Sequence, residues 1–299
     1  MQASHQATRP ARPAHFFSDW RVRAPYSLFH ERFLATLSQL NQWPAPSEYD
    51  DLAKQVPHVG AELAGVELPH FVAQDHQALQ RFGGYEWQVA GARAVPTRAQ
   101  SWHDFFNMVV WAHFPRLRWA LNSVHVDRAL GPIDPRNGRA PTQNVAAQFD
   151  ESGLIVASSN AELLVALRAL RFKYVFWERR AELLATTCFW VVGHGLLESL
   201  LTPHPKLLAK GLLLELPREP GSYSSDDLRG LLDSRVADRI RSWRSAAPRL
   251  DPVPVLGIPG YADNSAAEYY DDAHYFRGER RSRGECVDER LAVVRDAEG

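Results

Sequence analysis

The sequence predicts a single α+β domain that is mostly helical, with short antiparallel strands and hairpins. Three observations predict this class. Apolar residues recur at helical spacing in several long stretches, whereas the β-branched runs are short and end at glycine or polar turn residues. The 299 residues are 45% hydrophobic, which is enough for one large core. No internal repeat is visible, so a repeat architecture is not expected.

The core domain is predicted to span residues 16–277. Residues 1–15 contain basic side chains but no apolar segment behind them, so they are predicted to be disordered rather than a secretory signal. Residues 278–299 are mostly charged and are predicted to form a flexible tail.

The elements of the first half follow from spacing and caps. Residues 26–40 carry leucine and phenylalanine at helical intervals, which predicts an early helix. The alternation of apolar and polar residues over 85–90 predicts a strand. Ser101 and Asp104 have the spacing of a capping box, so a helix is expected after Ser101, with Pro115 ending or bending it.

The second half is predicted to alternate strands and helices. Residues 145–157 have the composition of a hairpin whose turn is Asp150-Glu151-Ser152-Gly153. Capping-box spacing at Ser159 predicts the next helix. The remaining predictions are strands at 186–192 and 212–216, helices at 194–201 and from 226, and a long aromatic loop at 252–277.

Charge and cysteine content exclude several classes of protein. Lysine plus arginine (34) nearly balances aspartate plus glutamate (35), so there is no overall field that favours nucleic acid. Two cysteines form no disulfide framework, which predicts a cytoplasmic location. The most apolar window, 183–201, is interrupted by polar residues and is predicted to be core rather than a membrane span.

The most informative polar motif is His194 with Glu198. Residues four apart on a helix share one face, so both side chains can converge on a metal ion. Zinc or manganese suits such ligands. The same spacing also occurs in ordinary helix pairs, and a buried histidine can be a satisfied core residue, so both alternatives stay open.

A second motif combines His103, Asp104 and Asn107 near a predicted helix start. His103 is predicted to be a metal ligand together with His194, and the two rings are expected to lie near one another. Asp104 is a candidate catalytic carboxylate, although a capping role explains it equally well. Asn107 is predicted to contact substrate.

Acidic and basic residues elsewhere complete the predicted pocket. Glu151 is predicted to be a catalytic carboxylate, provided that its hairpin folds over the two histidines. Arg98 is predicted to bind a substrate anion or to pair with Glu86. Tyr270 and Arg277, on the long aromatic loop, are predicted to contact substrate if that loop packs over the pocket as a lid.

The segment from His103 to Asn107 continues through Trp111, Phe114-Pro115 and Leu121-Asn122. The resemblance that these segments carry is to a bacterial family known only as domain of unknown function 3025. It extends over roughly 82–277, although Arg118 stands where lysine is expected and Met108 where a small residue is expected. The family implies no activity, cofactor or catalytic residue.

Two functions are compatible with these observations. The first is a metal-dependent hydrolase that acts on a small polar substrate, with the histidines and one carboxylate as ligands and another carboxylate as general base. The second is a non-catalytic binding or scaffold protein, in which the same groups form a buried hydrogen-bonded network. The standard zinc-protease, phosphate-loop and serine-hydrolase motifs are absent from the sequence.

Overall fold

The computed structural model describes residues 20–58, 65–130 and 138–276. Within these ranges the helices are α1 Glu31–Ser38, α2 Tyr49–Ala53, α3 His76–Phe82, α4 Tyr85–Ala92, α5 Trp102–His113, α6 Pro115–His125, α7 Pro141–Ser152, α8 Ala161–Arg168, α9 Arg180–Thr186, α10 His194–Leu201 and α11 Ser225–Ser242. The strands are β1 His70–Ala73, β2 Ala94–Thr97, β3 Gly153–Ser158, β4 Thr187–Val191, β5 Leu208–Glu215 and β6 Asp251–Pro254.

The predicted α+β class is confirmed, but the strand directions are mixed. β1 and β2 form a parallel pair, and the larger sheet has the order β4-β3-β5-β6. In that sheet β3 runs parallel to β5, while β4 and β6 are antiparallel to their neighbours. In the described ranges no two consecutive strands are joined by a tight turn, so the expectation of hairpins was wrong. Helices intervene between the strands, and this is what permits parallel pairing.

The segment 85–90 was predicted to be a strand and is the helix α4. It follows Gly83 and Gly84, which both adopt positive φ and redirect the chain just before Tyr85. Gln88 and Val89 are the buried residues of this helix. Six alternating residues are too few to separate a period of 2 from one of 3.6, and here the helix packs against β2.

The predicted hairpin at 145–157 was also wrong. Residues through Ser152 belong to α7, and Gly153 begins β3 directly. Pro141 occupies the first turn of α7, where its missing N–H costs nothing, and Ala146, Phe149 and Asp150 are buried on one helical face. Asp150 and Glu151 therefore lie on the last turn of a helix.

Elements with strong caps or long periodic stretches agree with the predictions. The Ser101 side chain accepts a hydrogen bond from the Asp104 N–H at the start of α5, and Pro115 opens α6. β4, α10, β5 and α11 also lie where the sequence placed them, within a few residues. The helix after Ser159 is capped by Asn160 instead, and the early helical section contains α1 preceded by a single 3-10 turn.

The aromatic loop after β6 packs back onto the domain. Tyr270, Tyr275 and Phe276 are buried, and the Tyr275 hydroxyl donates to the Leu207 carbonyl at 2.6 Å. The predicted disordered ends at 1–15 and 278–299 lie outside the described residues. Over the described part of the chain, the structure has no helix of the length and apolarity that crossing a membrane requires.

Helix packing and one close backbone approach bring the functional region together. α10 packs against both α5 and α7. At its start, Gly193 lies so close to Ser152 and Gly153 that a Cβ would come within 3.0 Å of their backbone atoms. The first turns of α5 and α10 therefore meet the last turn of α7.

Candidate metal centre

Three helix ends place two histidines and a glutamate around one point. His103 lies in the first turn of α5, His194 begins α10, and Glu151 lies in the last turn of α7. The Nε2 atoms of the two histidines are 2.9 Å apart, although 91 residues separate them in sequence. The predicted proximity of His103 and His194 is confirmed.

The separations of the three donor atoms match a metal-binding triangle. Glu151 Oε1 lies 3.9 Å from His103 Nε2 and 3.7 Å from His194 Nε2. With the 2.9 Å separation of the two nitrogens, the point equidistant from all three atoms lies about 2.1 Å from each. This is the length of a zinc bond to imidazole nitrogen or carboxylate oxygen.

The other ring nitrogen of each histidine faces a second carboxylate. Glu198 Oε2 lies 3.3 Å from His103 Nδ1, and Asp150 Oδ1 lies 3.5 Å from His194 Nδ1. Glu198, predicted to be a metal ligand, therefore lies on the far side of the His103 ring from the point shared by the two Nε2 atoms. Glu151 is instead the glutamate whose carboxylate faces both Nε2 atoms.

The two histidines differ in their electrostatic surroundings. Burial, with a smaller contribution from the nearby Arg118 charge, lowers the pKa of His194 to about 3, so this ring is neutral. The hydrogen bond to Glu198 raises the pKa of His103 against an opposing effect of burial. A neutral imidazole is the form that ligates a metal.

Asp104 and Arg98 pair with one another. Arg98 donates from its Nε at 3.0 Å and from Nη2 at 2.7 Å to the Asp104 carboxylate, which also accepts the Arg98 backbone N–H. Asp104 is therefore the anchor that holds Arg98, and its oxygens are occupied. The alternative pairing of Arg98 with Glu86 was wrong, because the Asn122 side-chain amide donates to Glu86 at 2.7 Å.

A buried arginine organises the rear of the site. Arg118 is 3% exposed, pairs with Asp150 and donates to the Asn107 side-chain oxygen at 2.8 Å. The Asn107 amide in turn donates to the Tyr85 hydroxyl at 2.7 Å. Both ends of the Asn107 amide are thus engaged within the protein. A buried charge persists only when it is paired in this way.

A polar cavity of about 260 Å³ opens in front of the three donor atoms. Arg98, Asp104, Asn107, Glu151 and His194 line it, as does His103. A second group of possible ligand atoms, from Glu86, His125 and Asp150, lies within the same cavity. Because Arg118 already supplies a positive charge to Asp150, this second group is explained without an ion.

The two loop residues predicted to bind substrate do not join this set. Tyr270 is buried against the rings of Phe176 and Trp177, and its hydroxyl donates to the Gly257 carbonyl at 2.9 Å. It does not line the cavity. Arg277 lies outside the described residues. None of the described residues of the loop lines the cavity, so the expectation of a lid was wrong for that part of the chain.

Sequence reasoning missed several residues of the site. Asp150 was interpreted as a turn residue, and Arg118 entered only as a departure from the family pattern. The sequence signal for Asp150 is its helical spacing from Ala146 and Phe149, which places its carboxylate on the buried face of α7. Gly195 was also missed: a Cβ there would come within 3.0 Å of Glu151 Oε2.

Comparison with known families agrees with the resemblance seen in the sequence. The model of a family described as "Protein of unknown function (DUF3025)" matches residues 69–280, more than two thirds of the chain. The chain belongs to this family. The match includes every residue of the donor triangle and of the Arg118 network. No curated protein and no solved structure matches the chain.

Proposed function

We propose that this DUF3025 protein is a metal-dependent hydrolase in which His103, His194 and Glu151 hold a zinc or manganese ion. The observation that carries the proposal is the donor triangle, whose atoms share a point about 2.1 Å from each. Two histidines and a glutamate form the protein ligand set of several hydrolytic zinc sites, in which a further position is left for water.

The chemistry expected at this site is activation of water. A divalent ion lowers the pKa of a bound water toward neutrality and thereby supplies a nucleophile. The protein side chains fix the geometry around it: His194 is neutral and buried, while the Glu151 side chain is 54% exposed on the open side. The charged and amide groups of the cavity favour a small polar substrate over an apolar one.

The proposal exchanges the roles that the sequence predicted for two glutamates. Glu151 becomes a metal ligand rather than the general base, and Glu198 becomes the partner of His103 Nδ1 rather than a ligand. Asp104 is an unsuitable base because Arg98 occupies its oxygens. A cytoplasmic location also belongs to the proposal, since it follows from cysteine usage alone.

Metal analysis tests the site directly. We expect about one equivalent of zinc or manganese per chain in protein loaded with that metal and then desalted, and loss of this equivalent in His194→Ala and Glu151→Ala. His76→Ala is the matched control, because His76 is exposed on α3 and does not line the cavity. Retention of the full equivalent in His194→Ala would contradict the proposed site.

The hydrolase part needs its own assay. Metal-loaded protein is incubated with small chromogenic carboxylic esters, phosphate esters and amides, and turnover is compared with that of His194→Ala. We expect turnover of at least one of these classes, abolished by chelator and by the substitution. Equal rates in the variant would show that any hydrolysis arises elsewhere.

The Arg118 network favours one alternative, a non-catalytic binding or scaffold protein. The buried Arg118, Asp150 and Asn107 and the half-buried Tyr85 form a connected set that holds α4, α5, α6 and α7 together without a metal. This alternative predicts no stoichiometric metal and the same unfolding temperature with and without chelator. The hydrolase proposal predicts that metal raises the unfolding temperature, because an ion bound only by the folded state stabilises it.

A further inference from the structure

We infer that Glu198 and Asp150 are positioning residues that select which nitrogen of each histidine faces the metal point. The inference rests on the proposed function, because it assigns a role around the same site. It rests on the two carboxylates that lie behind the donor triangle, at 3.3 Å from His103 Nδ1 and 3.5 Å from His194 Nδ1.

The first step concerns His103. A neutral imidazole carries one N–H, and a carboxylate can only accept a hydrogen bond. Glu198 Oε2 beside Nδ1 therefore keeps the proton of His103 on Nδ1. The lone pair of the ring is then on Nε2, the atom that points toward His194 and Glu151.

The second step applies the same logic to His194. Its Nδ1 is buried without a hydrogen bond to any described residue, and Asp150 Oδ1, 3.5 Å away, is the carboxylate oxygen that faces it. Asp150 is itself held in place by its ion pair with the buried Arg118. Arg118, Asp150 and His194 thus form a chain in which each group orients the next, and the lone pair of His194 is also placed on Nε2.

Together the two steps create an arrangement that a bound cation stabilises. Two ring nitrogens that both present lone pairs cannot hydrogen-bond to one another, yet these Nε2 atoms are 2.9 Å apart. A positive charge at the shared point removes this conflict. Hydrogen-bonded carboxylates behind ligating histidines are the usual means by which proteins orient such rings.

The connectivity crosses over between helices. α10 supplies the ligand His194 and, one turn later, the carboxylate that orients His103. α7 supplies the ligand Glu151 and, one residue earlier, the carboxylate that orients His194. Each of these two helices therefore carries one ligand and also a carboxylate that orients the ring of a histidine ligand on another helix. A change in the packing of α7 or α10 therefore disturbs the whole triangle.

Glu198 offers the sharper test, because its side chain is one-third exposed, whereas Asp150 forms an ion pair with the buried Arg118. We expect Glu198→Ala to weaken zinc affinity about 10–100-fold, measured by competition with a chromophoric chelator. Glu198→Gln keeps an oxygen that accepts the Nδ1 proton, so it is expected to bind within a few-fold of wild type. Glu215→Ala, at an exposed position at the end of β5, is the matched control.

A second measurement reports the tautomers themselves. Nitrogen NMR of histidine-labelled protein is expected to show Nδ1 protonated on both rings in wild type, and a mixture of tautomers for His103 in Glu198→Ala. Wild-type zinc affinity in Glu198→Ala, or an unprotonated His103 Nδ1 in wild type, would overturn the inference.

Failure of the proposed function has a different signature. If wild-type protein binds no metal, the hydrolase proposal fails. The positioning role is then judged on metal-free protein, where loss of the Nδ1-protonated form of His103 in Glu198→Ala supports it and an unchanged spectrum overturns it.

Discussion

Replacing Gly195 with alanine isolates the contribution of Glu151 to the candidate site. Gly195 lies on α10, beside the Glu151 side chain, and a Cβ at this position would come within 3.0 Å of Glu151 Oε2. The same Cβ would lie 3.1 Å from the Glu151 carbonyl oxygen, a contact that a shift of a few tenths of an ångström relieves. The flexible carboxylate must move much further than the backbone.

The expected displacement of the Glu151 carboxylate is large for a metal ligand, but it should change the stability of the fold little. Restoring an ordinary contact requires the carboxylate to move by about 1 Å, whereas metal ligands tolerate deviations of about 0.2 Å. We therefore expect Gly195→Ala to lose the third ligand and to weaken zinc or manganese binding about 10–100-fold or more. Alanine in a helix gains at most about 1 kcal/mol of propensity, so the free energy of unfolding should change by no more than about 1 kcal/mol.

The assay compares metal affinity with stability in the same variants. Affinity is measured by chelator competition, and the free energy of unfolding by denaturant titration of the metal-free protein. Gly221→Ala is the matched control, because a Cβ at that exposed position meets nothing within 4 Å. Wild-type affinity in Gly195→Ala, with a normal free energy of unfolding, would refute the assignment of Glu151 as a ligand.

Three further predictions concern the fold. Gly193→Ala should destabilise the protein by several kcal/mol and lower its unfolding temperature, because the added Cβ would clash with backbone atoms of Ser152 and Gly153. An unchanged unfolding temperature would contradict the close contact between Gly193 and these residues. Asp233→Ala should cost about 3 kcal/mol in denaturant titration, because it leaves the buried N–H of Leu117 and the half-buried N–H of Arg116 without their carboxylate acceptor. A cost below about 1 kcal/mol would contradict this reasoning. Burial lowers the pKa of His113 to about 3, so below pH 6.5 the unfolded state binds a proton that the folded state does not, and the free energy of unfolding should fall as the pH drops from 6.5 toward 3. His113→Gln should reduce the slope of the free energy of unfolding against pH by about 1.4 kcal/mol per pH unit. An equal slope in the variant would contradict a neutral His113.

His113 is not alone in this pH dependence. Burial also lowers the pKa of His30 and His58, and the positive charge of Arg229 acts on all three rings in the same direction. The His113 Nε2 atom accepts the His30 backbone N–H at 3.0 Å, which requires an unprotonated nitrogen. The His113→Gln comparison is therefore made on the difference in slope, since the other two histidines contribute to both proteins.

Local sequence signals predicted the elements whose ends or periods are well defined. Ser101 and Pro115 bound α5 correctly because a cap and a proline act through their own backbone neighbours. The β-branched and aromatic run of β4 was equally clear. Short segments were mispredicted, namely 85–90 and 145–153, because few residues cannot define a period and tertiary packing then selects the conformation.

The site shows the same division between local and tertiary information. The sequence nominated His103, His194, Glu198 and Glu151 from residue type and spacing. It assigned Glu198 as the ligand because a helical separation of four from His194 is visible in the sequence. The structure shows that Glu198 faces the other histidine, whose ring comes from α5. No local pattern reports such an orientation.

The sequence by itself determined the class of the fold, several of its helices and the residue types available for chemistry, because these depend on composition, capping and periodicity. Tertiary structure alone decided that donor atoms from α5, α7 and α10 share one point, and which nitrogen of each ring faces it. The physical reason is that these separations are set by the packing of three helix ends. That packing depends on the clearance at Gly193 and Gly195, where the absence of a side chain brings the helices close enough for a common ligand point.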